Sequence, residues 1–385
     1  MTASKLHSAL TAAFLGAASV ASTALVMVSP AQAQATVSPR VGAALTEARS
    51  LANAKNYKGA LAKIAEAEAV PGRTADDNRV IAQMKQAIGV MSGDAALGGT
   101  AGLKAKFAND YNARKYKDVI AGGEALRKAG ALDSASSQVV AQAYYLSGDF
   151  AGCQRYIRAN FGMNAGDATL ELLMRCAYET GDDATQRQAL ETLVSRGGKA
   201  EHWKGLLRLA ERSRGLSDHN TLDINRMRLL TNNITTKDEY TLLAQLALQL
   251  GFAAEAKSVL EKGQAAKVLT DDRTTRLLKL ATDQANASAA GQAKALAAAQ
   301  AAPQGDDLVK VGENMIGQGK AKEAIGVIQA GLKKPLKDAD NGQMRLGQAY
   351  LAAGQKADAQ KAFSAVKGTT KNAEVAKLWA LVARR

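Results

Sequence analysis

The feature that most constrains this chain is a turn that recurs. Residues 346–366 read as two short helices joined at Gly354. Counting from Gly354, Gly347 stands at −7, Tyr350 at −4, Ala359 at +5 and Phe363 at +9. Helical positions three or four apart share a face. Small residues at −7 and +5 therefore let two antiparallel helices approach, and Tyr350 and Phe363 fill the space beside the contact. The same spacing returns around Lys55 (Ala48, Ala60, Ile64), Gly251 (Ala244, Ala256, Leu260) and Gly319 (Gly312, Ala324, Ile328). It is looser around Gly148 and Gly181, where Cys153 and Gln186 stand at +5. It is weakest around Arg114, where Val119 and Gly123 replace the small and large residues. Residues 199–233 and 273–303 depart from the pattern.

Composition points the same way. Aromatic residues make up 4% of the chain and Pro only 5 of 385 positions, which favours thin, closely packed helices. No sustained alternation of Val, Ile and Thr supports a sheet. Residues 93–102 are Gly-rich and read as a loop. Residues 283–305 read as an Ala-rich helix or linker and are the best candidate for a boundary. That leaves residues 34–282 as an N-terminal and central array, and 306–385 as a C-terminal pair of units with a closing helix.

Residues 1–33 have the pattern of a cleavable secretory leader: Lys5, an apolar run from Leu10 to Val28, and Ala31-Gln32-Ala33 as a small-x-small site. The mature chain is expected in a periplasm, with no later segment of spanning length. Loss of Lys5 takes the formal charge from +14 to +13. Such a balance favours acidic partners, and export argues against nucleic acid.

The small residues at −7 and +5, with a large residue at +9, resemble the tetratricopeptide repeat, a helix-turn-helix unit of about 34 residues. His202-Trp203 followed by residues 244–257 is also similar to exported bacterial repeat proteins without an assigned activity. The resemblance implies an all-α fold, a right-handed solenoid of about eight to ten helical hairpins. It further implies a concave groove, lined by the first helix of each unit, that binds a protein or peptide segment. Positions −6 and −3 should face that groove. They supply Gln142, Arg175 and Gln245 at −6, and Tyr111, Tyr145 and Tyr178 at −3, the tyrosines spaced by 34 and 33 residues. Tyr offers rigid contact area and a hydroxyl. The competing reading makes these tyrosines packing residues one place off register from Tyr350.

A second candidate surface is the basic region holding Lys204, Arg208, Arg212, Arg214, Arg226 and Arg228. It is either a site for an acidic envelope polymer, such as peptidoglycan or lipopolysaccharide, or a solvated helix face. Cys153 and Cys176 are the only cysteines. An even pair in an exported chain permits a disulfide, and two small buried thiols are the alternative. No His/Cys/Asp cluster has metal-ligand spacing. There is no phosphate-cradling loop ending in Lys-Ser/Thr and no Gly-x-Ser-x-Gly. Asp218-His219 and Glu171 read as surface groups. The expectation is a non-enzymatic binding protein without cofactor or metal.

Overall fold

The computed structural model describes residues 37–367 and 370–385. The expected leader, residues 1–33, lies outside the described residues. Every regular element among the described residues is helical. The chain divides into two compact units between Asp133 and Ser134.

The first unit holds α1 (Pro39–Asn53), α2 (Tyr57–Glu68), α3 (Ala75–Ser92), α4 (Ala95–Asn112) and α5 (Tyr116–Lys128). Val41, Leu45, Ala48, Ile64, Ile81 and Ile88 form its first core. Asp77 ties two helix starts together. Its carboxylate accepts from Ser38 N at 2.8 Å, just before α1, and from Thr74 N at 2.9 Å at the cap of α3. The Gly-rich stretch 93–102 is not the expected loop. Gly93 and Asp94 make the turn after α3, and residues 95–102 form the start of α4, broken by one non-helical residue, Gly99. The glycines serve close packing: a Cβ on Gly89 of α3 would lie 2.5 Å from the backbone nitrogen of Gly98.

The second unit begins with α6 (Ser134–Leu146), α7 (Phe150–Asn160), a 3-10 turn (Gly162–Asn164), α8 (Asp167–Thr180) and α9 (Asp183–Ser195). It continues through α10 (Ala200–Glu211), α11 (Asp218–Leu230), α12 (Lys237–Gln249) and α13 (Ala253–Ala265). The long α14 (Asp272–Ala301) leads to α15 (Asp306–Gly317), α16 (Ala321–Leu332), α17 (Ala339–Ala352), α18 (Lys356–Ser364) and α19 (Lys371–Arg384). Residues 283–301 continue α14 without a break, as their Ala content favours. Residues 283–305, the candidate boundary, lie within the second unit.

Helices pack mainly in neighbouring pairs, and the recurrent turn explains how. Lys55, Arg114, Gly148, Gly181, Gly251, Gly319 and Gly354 all have positive φ, from 58° to 86°. A left-handed residue ends one helix, and the next residue can cap the following one. Asn56, Asp149 and Asp182 do so, accepting from Gly59, Gly152 and Thr185 backbone nitrogens. Position −7 meets position +9 across the pair. A Cβ on Gly347 would lie 2.5 Å from Phe363, and one on Gly312 would lie 2.3 Å from Ile328.

In a purely nearest-neighbour stack, α19 would touch only α17 and α18. Instead it also packs on α9 and α11. One core joins Leu190, Trp203, Leu206, Ile224, Met344, Phe363 and Trp379, with Phe363 and Trp379 stacked at 5.9 Å. Arg385 Nη1 donates to the Leu230 carbonyl at the end of α11 at 3.0 Å. The second unit thus closes on itself.

Candidate functional site

The closure brings three −6 positions to one place. Measured from the left-handed turns at Asn232, Gly319 and Gly354, these are Arg226 on α11, Glu313 on α15 and Gln348 on α17. Arg345, one turn before Gln348, is wholly buried and grips Asp223 of α11 with both guanidinium arms, at 2.6 and 2.7 Å. Gln348 Nε2 donates to the same carboxylate at 2.7 Å. Arg226 reaches Asp223 at 3.0 Å, Glu313 at 2.8 Å and Glu255 of α13 at 2.7 Å. Glu313 also bridges Arg345 at 3.1 Å. The Arg226 guanidinium lies 5.3 Å from the Phe252 ring centre. Two guanidinium groups face three carboxylates.

Electrostatics keep Asp223, Arg226 and Arg345 ionised. Burial alone would raise the pKa of Asp223, but Arg345 and Arg226 beside it hold the carboxyl below its ordinary value. Burial alone would lower the pKa of each arginine. Glu255, Glu313 and Asp223 hold Arg226 well above its ordinary value, and Asp223 and Glu313 hold Arg345 above. A buried ion cluster is stable only when its partners are complete. In α15 and α17, the positions expected to face a ligand face the chain's own α11 instead.

The tyrosine positions behave differently. In the first unit Tyr111 is half-buried and packs edge-on to Tyr116 at 6.3 Å, and burial raises its pKa. In the second unit Tyr145 is half-buried and packs on Phe150 at 5.4 Å. Tyr178 is 59% exposed. The difference lies at position +2, which is Tyr116, Phe150 and then Asp183. An aromatic at +2 draws the −3 ring onto its own hairpin, and Asp183 cannot. Arg175, one turn before Tyr178 on α8, is half-buried and forms no ion pair among the described residues. Gln142 is half-buried on α6, which touches α8. Gln245 is exposed and lines a separate cleft of about 340 Å³ between α12 and α14, with Leu242, Arg273 and Leu277.

The six basic residues separate into two groups, which corrects the expectation of one solvent-facing patch. Arg226 is only 13% exposed and belongs to the buried ion cluster. Arg228 pairs with Glu211 and Glu239. Both are turned inward because the off-pattern α11 is the helix around which the unit closes. Lys204, Arg208, Arg212 and Arg214 are exposed.

Cys153 on α7 and Cys176 on α8 form a disulfide, with Cα atoms 6.2 Å apart. It links the second helix of one pair to the first helix of the next. His202 is buried. Its Nδ1 accepts from Lys199 N at 3.2 Å and its Nε2 faces Glu171 at 3.1 Å, so it caps α10 and ties it to α8. His219 packs edge-on to Phe252, and Asp218 accepts from Gln249 at 3.2 Å. Glu171, Asp218 and His219 do not converge with one another through any of these contacts. Among the described residues no three His, Cys, Asp or Glu side chains are grouped to hold a metal ion. No helix among them is long and apolar enough to cross a membrane.

No protein-family model and no curated protein matches the chain.

Proposed function

We propose that this is a non-enzymatic helical-repeat scaffold of the tetratricopeptide type, exported to the periplasm, which holds a peptide or protein segment against α8. The observation that carries this reading is the exposed Tyr178, with Arg175 one turn before it. A large aromatic ring exposed beside an arginine without an ion pair is the composition of a binding hot spot. Gln142 and Tyr145 on the adjoining α6 extend the surface. Tyr111 and Tyr145 each pack on an aromatic ring of their own hairpin, which leaves Tyr178 as the exposed −3 tyrosine of the three. The leader-like residues 1–33 and the Cys153–Cys176 disulfide support an oxidising destination outside the cytoplasm.

The test is selection of peptides from a random library on the immobilised mature chain, followed by titration of the enriched peptides. Tyr178→Ala and Arg175→Ala should each weaken binding by at least about tenfold, roughly 1.4 kcal/mol, without changing the melting temperature. Absence of enrichment, or enriched peptides that bind Tyr178→Ala as well as wild type, would overturn the reading.

A further inference from the structure

We propose that the exposed face of α10 is a second binding surface, independent of α8, that takes a linear polyanion. Of the eight basic residues between 196 and 228, the fold neutralises four. Arg196 pairs with Asp167, Lys199 with Glu171, Arg226 with the buried acids, and Arg228 with Glu211 and Glu239. The other four are exposed and form no ion pair among the described residues. Three of these, Lys204, Arg208 and Arg212, recur every four residues along one side of α10 and its cap. Arg214 follows in the turn beyond.

The stripe is fixed in place. The opposite face of α10 is anchored by Trp203, Leu206, Leu207 and Ala210, all buried in the closure core. Glu211, the acid adjoining Arg212, is turned away to Arg228 at 3.1 Å. Glu201 is the remaining acid on α10 itself, and Glu374 of α19, which accepts from Ser213 at 3.3 Å, is paired with Lys371 at 2.8 Å. Cations near a helix C-terminus favour the helix dipole, which accounts for Arg208 and Arg212. Lys204 lies in the second turn from the N-terminus and has no such role.

Four helical residues advance about 6 Å, so the three cations span about 12 Å. An isolated phosphate or carboxylate can meet one or two of them. A flexible chain bearing anionic groups at comparable intervals can meet all three at once and release counterions at each. The partner class is therefore a linear, regularly charged polymer, of which a phosphodiester chain is the simplest form.

The experiment uses the mature chain and a twelve-nucleotide oligothymidylate as a linear phosphodiester probe, followed by fluorescence anisotropy across a salt series. Three contacts to a single strand give a slope of log K against log salt of about −2. The variant Lys204→Gln/Arg208→Gln/Arg212→Gln should bring the slope close to zero and weaken low-salt binding at least about tenfold. The control variant Lys58→Gln/Lys117→Gln/Lys128→Gln removes the same net charge from exposed sites on α2 and α5 and should keep the wild-type slope. Thymidine monophosphate should not distinguish the two variants. If the stripe variant unfolds, Arg208→Gln alone decides, with an expected slope change of about 0.7. Absence of binding by the wild type would overturn the proposal, as would a stripe variant that keeps its slope. Equal losses in stripe and control variants would also overturn it, since binding would then follow net charge alone.

Discussion

Position −6 has two fates in the second unit. On α11, α15 and α17 it supplies Arg226, Glu313 and Gln348, which converge with Asp223, Glu255 and Arg345 in a buried ion cluster. On α8 it supplies Arg175, beside the exposed Tyr178. The same place in a repeat becomes core where the chain returns on itself and contact surface where it does not. A repeat frame fixes how two helices of a pair meet. It does not fix what the inner face of the pair meets, because that depends on helices far away in the sequence.

The comparison can be broken most forcefully at Arg345. Arg345→Met leaves three carboxylates, two of them buried, facing Arg226 alone and should cost about 3–5 kcal/mol of stability. Asp223→Asn leaves two acids and two arginines and should cost less. Thermal or urea unfolding of both variants checks the order. Because the folded pKa of Asp223 is depressed, its contribution is present above about pH 4, its ordinary range, and is lost as pH falls through the lowered folded value. The wild type should therefore lose stability in acid more steeply than Asp223→Asn.

The disulfide acts on the other half of the comparison, since it ties α8 to α7. Cys153→Ser/Cys176→Ser should cost about 3 kcal/mol in the chain-entropy model, measured by unfolding under identical conditions, while leaving the ion cluster intact. The smallest effect is expected from Asp183→Phe, which supplies at +2 the ring that Tyr111 and Tyr145 already have. It should draw Tyr178 onto its own hairpin and change stability by about 1 kcal/mol or less. Binding of a selected peptide should fall nonetheless. Retained peptide binding would contradict the explanation given for the exposure of Tyr178.

Much of the pairing was legible because it is local. Gly347 and Phe363, or Gly312 and Ile328, are 16 residues apart, and their small-large pattern survives in the letters. The exposure of Tyr178 has a mark in the letters, Asp183 where Tyr116 and Phe150 stand in the earlier units, but the spacing of the tyrosines alone treats the three alike. The ion cluster was not. Asp223 and Arg345 are 122 residues apart, and charged residues on off-pattern helices look the same whether they face water or one another. For that reason the letters alone present Arg226 and Arg228 as surface groups. The glycines of residues 93–102 misled in the opposite sense, because glycine serves close helix contact as readily as it serves a loop.

The most direct measurement of the divided inner face is thiol labelling at its two sides. Tyr178→Cys and Gln348→Cys, each with the native disulfide intact, would be exposed to the same maleimide reagent under native conditions. Tyr178→Cys should react at the rate of an unprotected thiol. Gln348→Cys should react at least about 100-fold more slowly, equivalent to roughly 2.8 kcal/mol of opening free energy. Equal rates at the two positions would contradict the account, because they would mean that α11 does not fill the inner face of α17.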